Sequence, residues 1–178
     1  MKHLLSILTL CAAPLIATPA ITGDGVPTPE HVQFATGLST QDAEEALETA
    51  QKYYAFWNTG NEDYAKAALS PNFIDLNLPR GRAQGPTGPL AASSGFRLAV
   101  PDLTLTVKSV YILKNKVIGR LQFDGHFTGA FGEVQGEGQA ISFLAVDIYT
   151  IKDGMITENW HLEDNLTLLQ QLGIADID

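Results

Sequence analysis

The chain has 178 residues, 45% hydrophobic and 17% charged, which suits one domain with a real core and excludes an intrinsically disordered chain. Its formal net charge is −9 and no basic cluster appears, so nucleic acid and anionic membrane surfaces are not expected as partners.

The N-terminus reads as a leader. Lys2 and His3 form a short polar start, Leu4 to Ile16 is an apolar run, and Thr18-Pro19-Ala20 offers small residues at a cleavage site. The run is too short to cross about 30 Å of hydrocarbon. Residues 1–20 are therefore expected to be a secretory signal peptide, and the protein to be secreted or periplasmic. The one cysteine, Cys11, lies inside this run behind Leu10, which is too large for a lipoprotein signal. The mature chain then has no thiol for a disulfide, a metal or a nucleophile. Residues 21–40, rich in Gly, Pro and Thr, are expected to form a flexible arm ahead of a domain over 41–178.

The domain is expected to open with a helix capped by Thr40, with Asp42, Glu44 and Glu45 in its first turns. Ala43, Ala46, Leu47, Ala50, Tyr54 and Trp57 recur at helical spacing, and Asn58-Thr59-Gly60 stops the helix. A short helix follows over 61–69, then a strand over 73–77, a Gly/Pro-rich loop over 81–89 and a third helix over 90–99. Pro101-Asp102 launches a strand over 103–113, and Lys114-Asn115 turns the chain into another over 116–127. That strand alternates Val117, Gly119, Leu121, Phe123, Gly125 and Phe127 against Arg120, Gln122, Asp124 and His126. Beyond a Gly-rich loop over 129–139, residues 140–151 and 155–162 flank Asp153-Gly154. This dipeptide signals a type I′ hairpin, which needs positive φ at both centres. A terminal helix over 165–173 closes the chain. Helices gathered on one side of a curved antiparallel sheet make an α+β fold with a funnel between the layers, and such a cleft is the default ligand site.

Several stretches resemble the SnoaL-like polyketide cyclase family. They are Phe56-Trp57-Asn58-Thr59-Gly60-Asn61, Leu69-Ser70-Pro71-Asn72-Phe73 and Phe96-Arg97-Leu98-Ala99-Val100-Pro101-Asp102. His126-Phe127-Thr128-Gly129, Asp147, Asp153-Gly154-Met155-Ile156, Trp160 with Asp164, and Leu169-Gln170-Gln171-Leu172-Gly173 continue the likeness, which covers about residues 42–173. The resemblance implies the nuclear-transport-factor-2-like cone, with three helices packed into a curved sheet. It also implies an intramolecular aldol ring closure carried by one carboxylate, without metal or organic cofactor. By position Asp147 resembles that acid/base and His126 its neighbour, with Asp124 and Asn58 as further polar residues of the pocket. An exported chain departs from the cytoplasmic cyclases that the resemblance implies, so the fold is implied more firmly than the substrate.

The residues themselves support part of this. A carboxylate flanked by β-branched residues on a central strand, as Asp147 is, is costly to bury unless it has a use or a partner. An apolar pocket would raise its pKa toward the range of a general base. Asp147 and His126 are the expected catalytic residues; Asp124, Asn58, Trp57 and Trp160 are the expected substrate-binding ones. His161 and Glu163 read as surface residues, because they alternate with Trp160, Leu162 and Asp164. His31, His126 and His161 are too scattered for a zinc site, and no phosphate loop or nucleophile elbow is present. Three readings stay open. One is a cofactor-independent cyclase-, isomerase- or hydrolase-like enzyme on a small hydrophobic carbonyl compound. Another is a non-catalytic module that binds a small hydrophobic ligand. The third is a structural or assembly role, because the outer face of such a sheet suits a homodimer or homotetramer.

Overall fold

The computed structural model describes residues 25–176. The expected signal peptide, and with it the expected localisation, lies outside these residues. The elements run β1 (Val32–Phe34), α1 (Thr40–Thr59), α2 (Glu62–Ala68), β2 (Leu69–Asp75), α3 (Thr87–Ala99), β3 (Thr104–Ile112), β4 (Lys116–Phe127), β5 (Ala130–Phe131), β6 (Val134–Gln135), β7 (Gln139–Lys152), β8 (Met155–Glu163) and α4 (Asn165–Gln171). The fold is α+β, and six strands form one curved sheet in the order β1-β3-β4-β7-β8-β2. The four central strands are antiparallel, as expected. The two edge strands instead lie parallel to their neighbours, which makes the sheet mixed. β1 falls within the stretch read as a flexible arm: Val32, Gln33 and Phe34 pair with Val110, Tyr111 and Ile112. The Gly-rich stretch 129–139 holds the small hairpin β5–β6.

Local chemistry explains the main elements. The Ser39 hydroxyl accepts from the Asp42 N–H at 3.1 Å, so the cap of α1 sits one residue before the expected Thr40. The N–H of Gly60 returns to the Phe56 carbonyl and closes the helix. Asn61 caps α2 in the same way through Asp63. At the β7–β8 turn, Asp153 has φ 51° and Gly154 has φ 71°, the backbone that a type I′ hairpin requires.

One face of α1 buries Ala46, Ala50, Tyr53, Tyr54 and Phe56 against the inner face of the sheet, where Val117, Leu121, Phe123 and Phe127 of β4 point. Tyr54 lies over Gly119, where an added Cβ would collide with its hydroxyl. A glycine is thus needed at that crossing, and Gly119 is the β4 partner of Asp147. The helices do not fill the whole inner face; the space left between α1, α3 and the sheet is the cavity.

Candidate active site

The cavity has a volume of about 430 Å³. One part of its wall is aromatic. Phe123 and Phe143 are cross-strand partners on β4 and β7, and their rings stack at 5.1 Å. Phe96 of α3 stands edge-on to Phe143 at 6.0 Å and to Phe131 of the small hairpin at 6.2 Å. Trp57 of α1 stands edge-on to Phe123 at 6.2 Å. This surface offers flat apolar walls to a ligand.

The other part is ionisable. It comprises Asp147 from β7, Asn159, His161 and Glu163 from β8, Asp75 from the end of β2, and Arg82 from the loop after it. Sheet register assembles them: Asp147 is directly opposite His161, and Asp75 pairs with Asn159. Asp147 is 6% exposed. The Tyr149 hydroxyl donates to its Oδ2 at 2.7 Å, and the Asn159 amide donates to its Oδ1 at 3.2 Å. Burial pushes the Asp147 pKa up to about 6, against the pull of those two hydrogen bonds and of the His161 charge. The group is therefore ionised at neutral pH yet basic enough to take a proton.

His161, 4% exposed, has both ring nitrogens engaged. Nδ1 lies 2.7 Å from Glu163 Oε1, and Nε2 lies 3.1 Å from each Asp75 oxygen. Burial pulls its pKa down, but the Glu163 hydrogen bond, the Glu163 and Asp147 charges and the Asp75 bond together raise it to about 9. Burial likewise acts against ionised Glu163, and the bond and charge of His161 more than offset it, so the Glu163 pKa ends below its usual value. His161 is thus an imidazolium fixed between two carboxylates beside Asp147. It supplies positive charge rather than a free lone pair.

The expected residues divide sharply. Asp147 and Trp57 line the cavity. His126 does not: it sits on the opposite face of β4, its side chain is 58% exposed, and its Nδ1 pairs with Asp102 at 2.7 Å. Gly119 is the β4 partner of Asp147, and His126 lies seven residues further along, roughly 20 Å at the rise of a strand. The expected Asp147–His126 pair is therefore corrected to Asp147–His161. Asp124 is also on the outer face, where its Oδ1 accepts from Gln122 at 3.1 Å. Trp160 pairs with Ile148 on that face and is 37% exposed. Asn58 ties the end of α1 to the sheet: its Oδ1 accepts from the Leu105 N–H at 2.8 Å, and its amide donates to the Gly25 carbonyl at 2.9 Å. It does not line the cavity. His161 and Glu163, read as surface, are the residues that face Asp147, and Asp75, Asn159, Tyr149 and Arg82 were not singled out at all. The available signal was the polar alternation Asn159, His161, Glu163 on β8. It marks one face correctly but does not say that this face is the inner one.

Comparison with known proteins agrees with the architecture. The model of SnoaL-like polyketide cyclases matches residues 47–172. A Bacillus cereus protein described as a polyketide cyclase is 40% identical, with a TM-score of 0.77, over 85% of this chain and 95% of that one. TsrD from Streptomyces laurentii is 26% identical, with a TM-score of 0.67, over 74% of this chain and 97% of that one. AclR from Streptomyces galilaeus, described as a hydroxylase, is 25% identical, with a TM-score of 0.65, over 77% of this chain and 87% of that one. No functionally curated protein matches the chain.

Proposed function

The chain belongs to the SnoaL-like polyketide cyclase family, and from that premise we propose that it is a cofactor-independent acid/base enzyme acting on a small, flat, hydrophobic carbonyl compound. The observation that carries this reading is Asp147: a buried carboxylate of raised basicity at the ionisable end of an otherwise aromatic cavity, directly opposite a fixed imidazolium. The aromatic walls hold the body of the substrate. Asp147 takes a proton from the carbon next to a carbonyl; the C–H electron pair becomes the new C=C bond while the carbonyl π pair moves onto the oxygen. The enolate carbon attacks a second carbonyl of the same molecule, and the resulting alkoxide takes the proton back from Asp147. One carboxyl serves both steps because its pKa lies near the working pH. The neighbouring His161 charge favours the ionised base in the resting site, and Tyr149 and Asn159 fix the orientation of the carboxylate.

The first half of this cycle can be measured without knowing the natural substrate. Deuterium exchange at the α-carbon of an aromatic β-keto ester, followed by NMR, reports proton abstraction alone. Asp147→Asn keeps the shape of the side chain and removes the base, so catalysed exchange should fall by about 10²- to 10⁴-fold. Equal exchange rates for wild type and variant would replace the enzyme reading with that of a ligand-binding module.

A further inference from the structure

Arg82 lies on the loop between β2 and α3, in the wall of the cavity. Its nearest carboxylate oxygen is Asp75 Oδ2, 3.7 Å from Nη1, beyond hydrogen-bond distance. Both Asp75 oxygens are already engaged, by His161 Nε2 at 3.1 Å and, at Oδ1, by the Asn77 N–H at 3.0 Å. Among the described residues no acceptor lies within hydrogen-bond distance of the Arg82 guanidinium, whose contact with Asp75 is a loose ion pair, although its side chain is only 24% exposed. A guanidinium carries five N–H donors in a planar fork. Here that fork is held in a cavity wall, near the Asp75 charge but with no hydrogen bond to it.

The loop that carries it is built to stay in place. The Gln84 side chain accepts from the Asp75 N–H at 2.7 Å and from the Gly85 N–H at 3.0 Å, and donates to the Asp75 carbonyl at 3.0 Å. The Asn77 amide donates to the His161 carbonyl at 2.6 Å, and the Arg82 N–H reaches the Pro79 carbonyl at 3.0 Å. Across the cavity the Tyr53 phenol is held protonated by burial first and by the Asp147 charge next, while Arg82 acts against both. Arg82 and Asp147 line the same cavity.

We propose that Arg82 holds the substrate oxygen that becomes an anion when Asp147 removes a proton. This deepens the acid/base reading and rests on it. The ionisable end contains three carboxylates, Asp75, Asp147 and Glu163, and two cations, Arg82 and His161. When Asp147 takes the proton it becomes neutral, and the negative charge moves to the carbonyl oxygen of the substrate. The total charge of the site is unchanged; it has moved from Asp147 toward a guanidinium whose donors were waiting. Hydrogen bonds aimed at charge that appears during the reaction are the ones that accelerate it. His161 cannot take this role, because both of its ring nitrogens are occupied.

The test measures ligand binding in the Asp147→Asn protein, whose neutral side chain mimics the protonated base. The probes are 4-nitrophenol, ionised at the chosen pH and followed by the visible absorbance of its phenolate, and 4-nitroanisole, its neutral methyl ether. Adding Arg82→Gln should weaken nitrophenolate by about 10- to 100-fold, the usual effect of losing a hydrogen bond to a charged group. Nitroanisole should change less than about twofold, and Arg82→Lys should keep part of the nitrophenolate affinity, because it keeps the charge and loses the fork. Equal losses for both probes would make Arg82 a wall residue only and overturn the proposal. So would undiminished nitrophenolate binding, or no nitrophenolate binding in the Asp147→Asn parent. None of these results touches the exchange experiment on Asp147, so failure of the anion site and failure of the base are separately visible.

Discussion

At the scale of single residues, the raised pKa values of Asp147 and His161 both make stability fall as pH rises, over two different ranges. Folding raises the Asp147 pKa from 3.8 to about 6. The folded state then holds this proton more tightly than the unfolded chain, so stability falls as pH rises through about 4 to 6 and the cost remains above that. Asp147→Asn removes the cost. Measured by thermal denaturation, the variant should gain stability relative to wild type on going from pH 4 to pH 8, even as it loses activity; a constant difference would contradict the buried-base assignment. His161 has its pKa raised from 6.5 to about 9. Its contribution is complete below about 6.5 and is lost as pH rises through about 9. His161→Gln should therefore destabilise the protein more at pH 6 than at pH 10. Asp147 was legible in the sequence because a carboxylate between Val146 and Ile148 of an apolar strand has few uses. Its histidine was not, because His126 and His161 are both flanked by apolar residues and only the strand pairing separates them.

At the scale of elements, one irregular residue explains that error. The Asp153-Gly154 turn sets Lys152 opposite Met155 and Ile151 opposite Ile156. An unbroken ladder would continue with Asp147 opposite Trp160. Instead Thr150 pairs with Glu158, which leaves Thr157 as an extra residue, and Asp147 faces His161. A bulge of one residue moves every later side chain of the strand to the other face. Ile156 and Asn159 are consequently both buried, while Trp160 and Leu162 are turned outward. Nothing in Ile156-Thr157-Glu158 announces this bulge, so the expected pocket role of Trp160 and the expected surface role of His161 fail together. The turn itself was readable from two residues. Gly154 has φ 71°, where a β-branched side chain is strained, and Gly154→Val should cost about 1 kcal/mol or more in denaturant unfolding. A variant as stable as wild type would mean that the turn does not depend on the left-handed backbone.

At the scale of the whole molecule, the order of elements and the central antiparallel ladder followed from periodicity and turn chemistry, and the family followed from motifs spread over most of the domain. The parallel edges did not. β1 joins β3, and β2 joins β8, through contacts between residues distant in sequence, and three- to seven-residue segments carry little periodicity of their own. The same long-range pairing brings Asp75 to Asn159 and so completes the ionisable end of the cavity. The site is thus a property of the closed sheet: β2, β7 and β8 each bring part of the charge, and β4, β7, α1, α3 and the small hairpin bring the aromatic walls. The measurement that tests this assembly most directly is the pH profile of catalysed α-deuterium exchange at low substrate concentration. With Asp147 as the base and His161 as the fixed cation, the rate should rise through about pH 6, as the carboxyl with its raised pKa ionises, and fall near pH 9, as the imidazolium loses its proton. A profile with no limb near pH 6, or one that Asp147→Asn leaves unchanged, would contradict the assignment of Asp147 as the base.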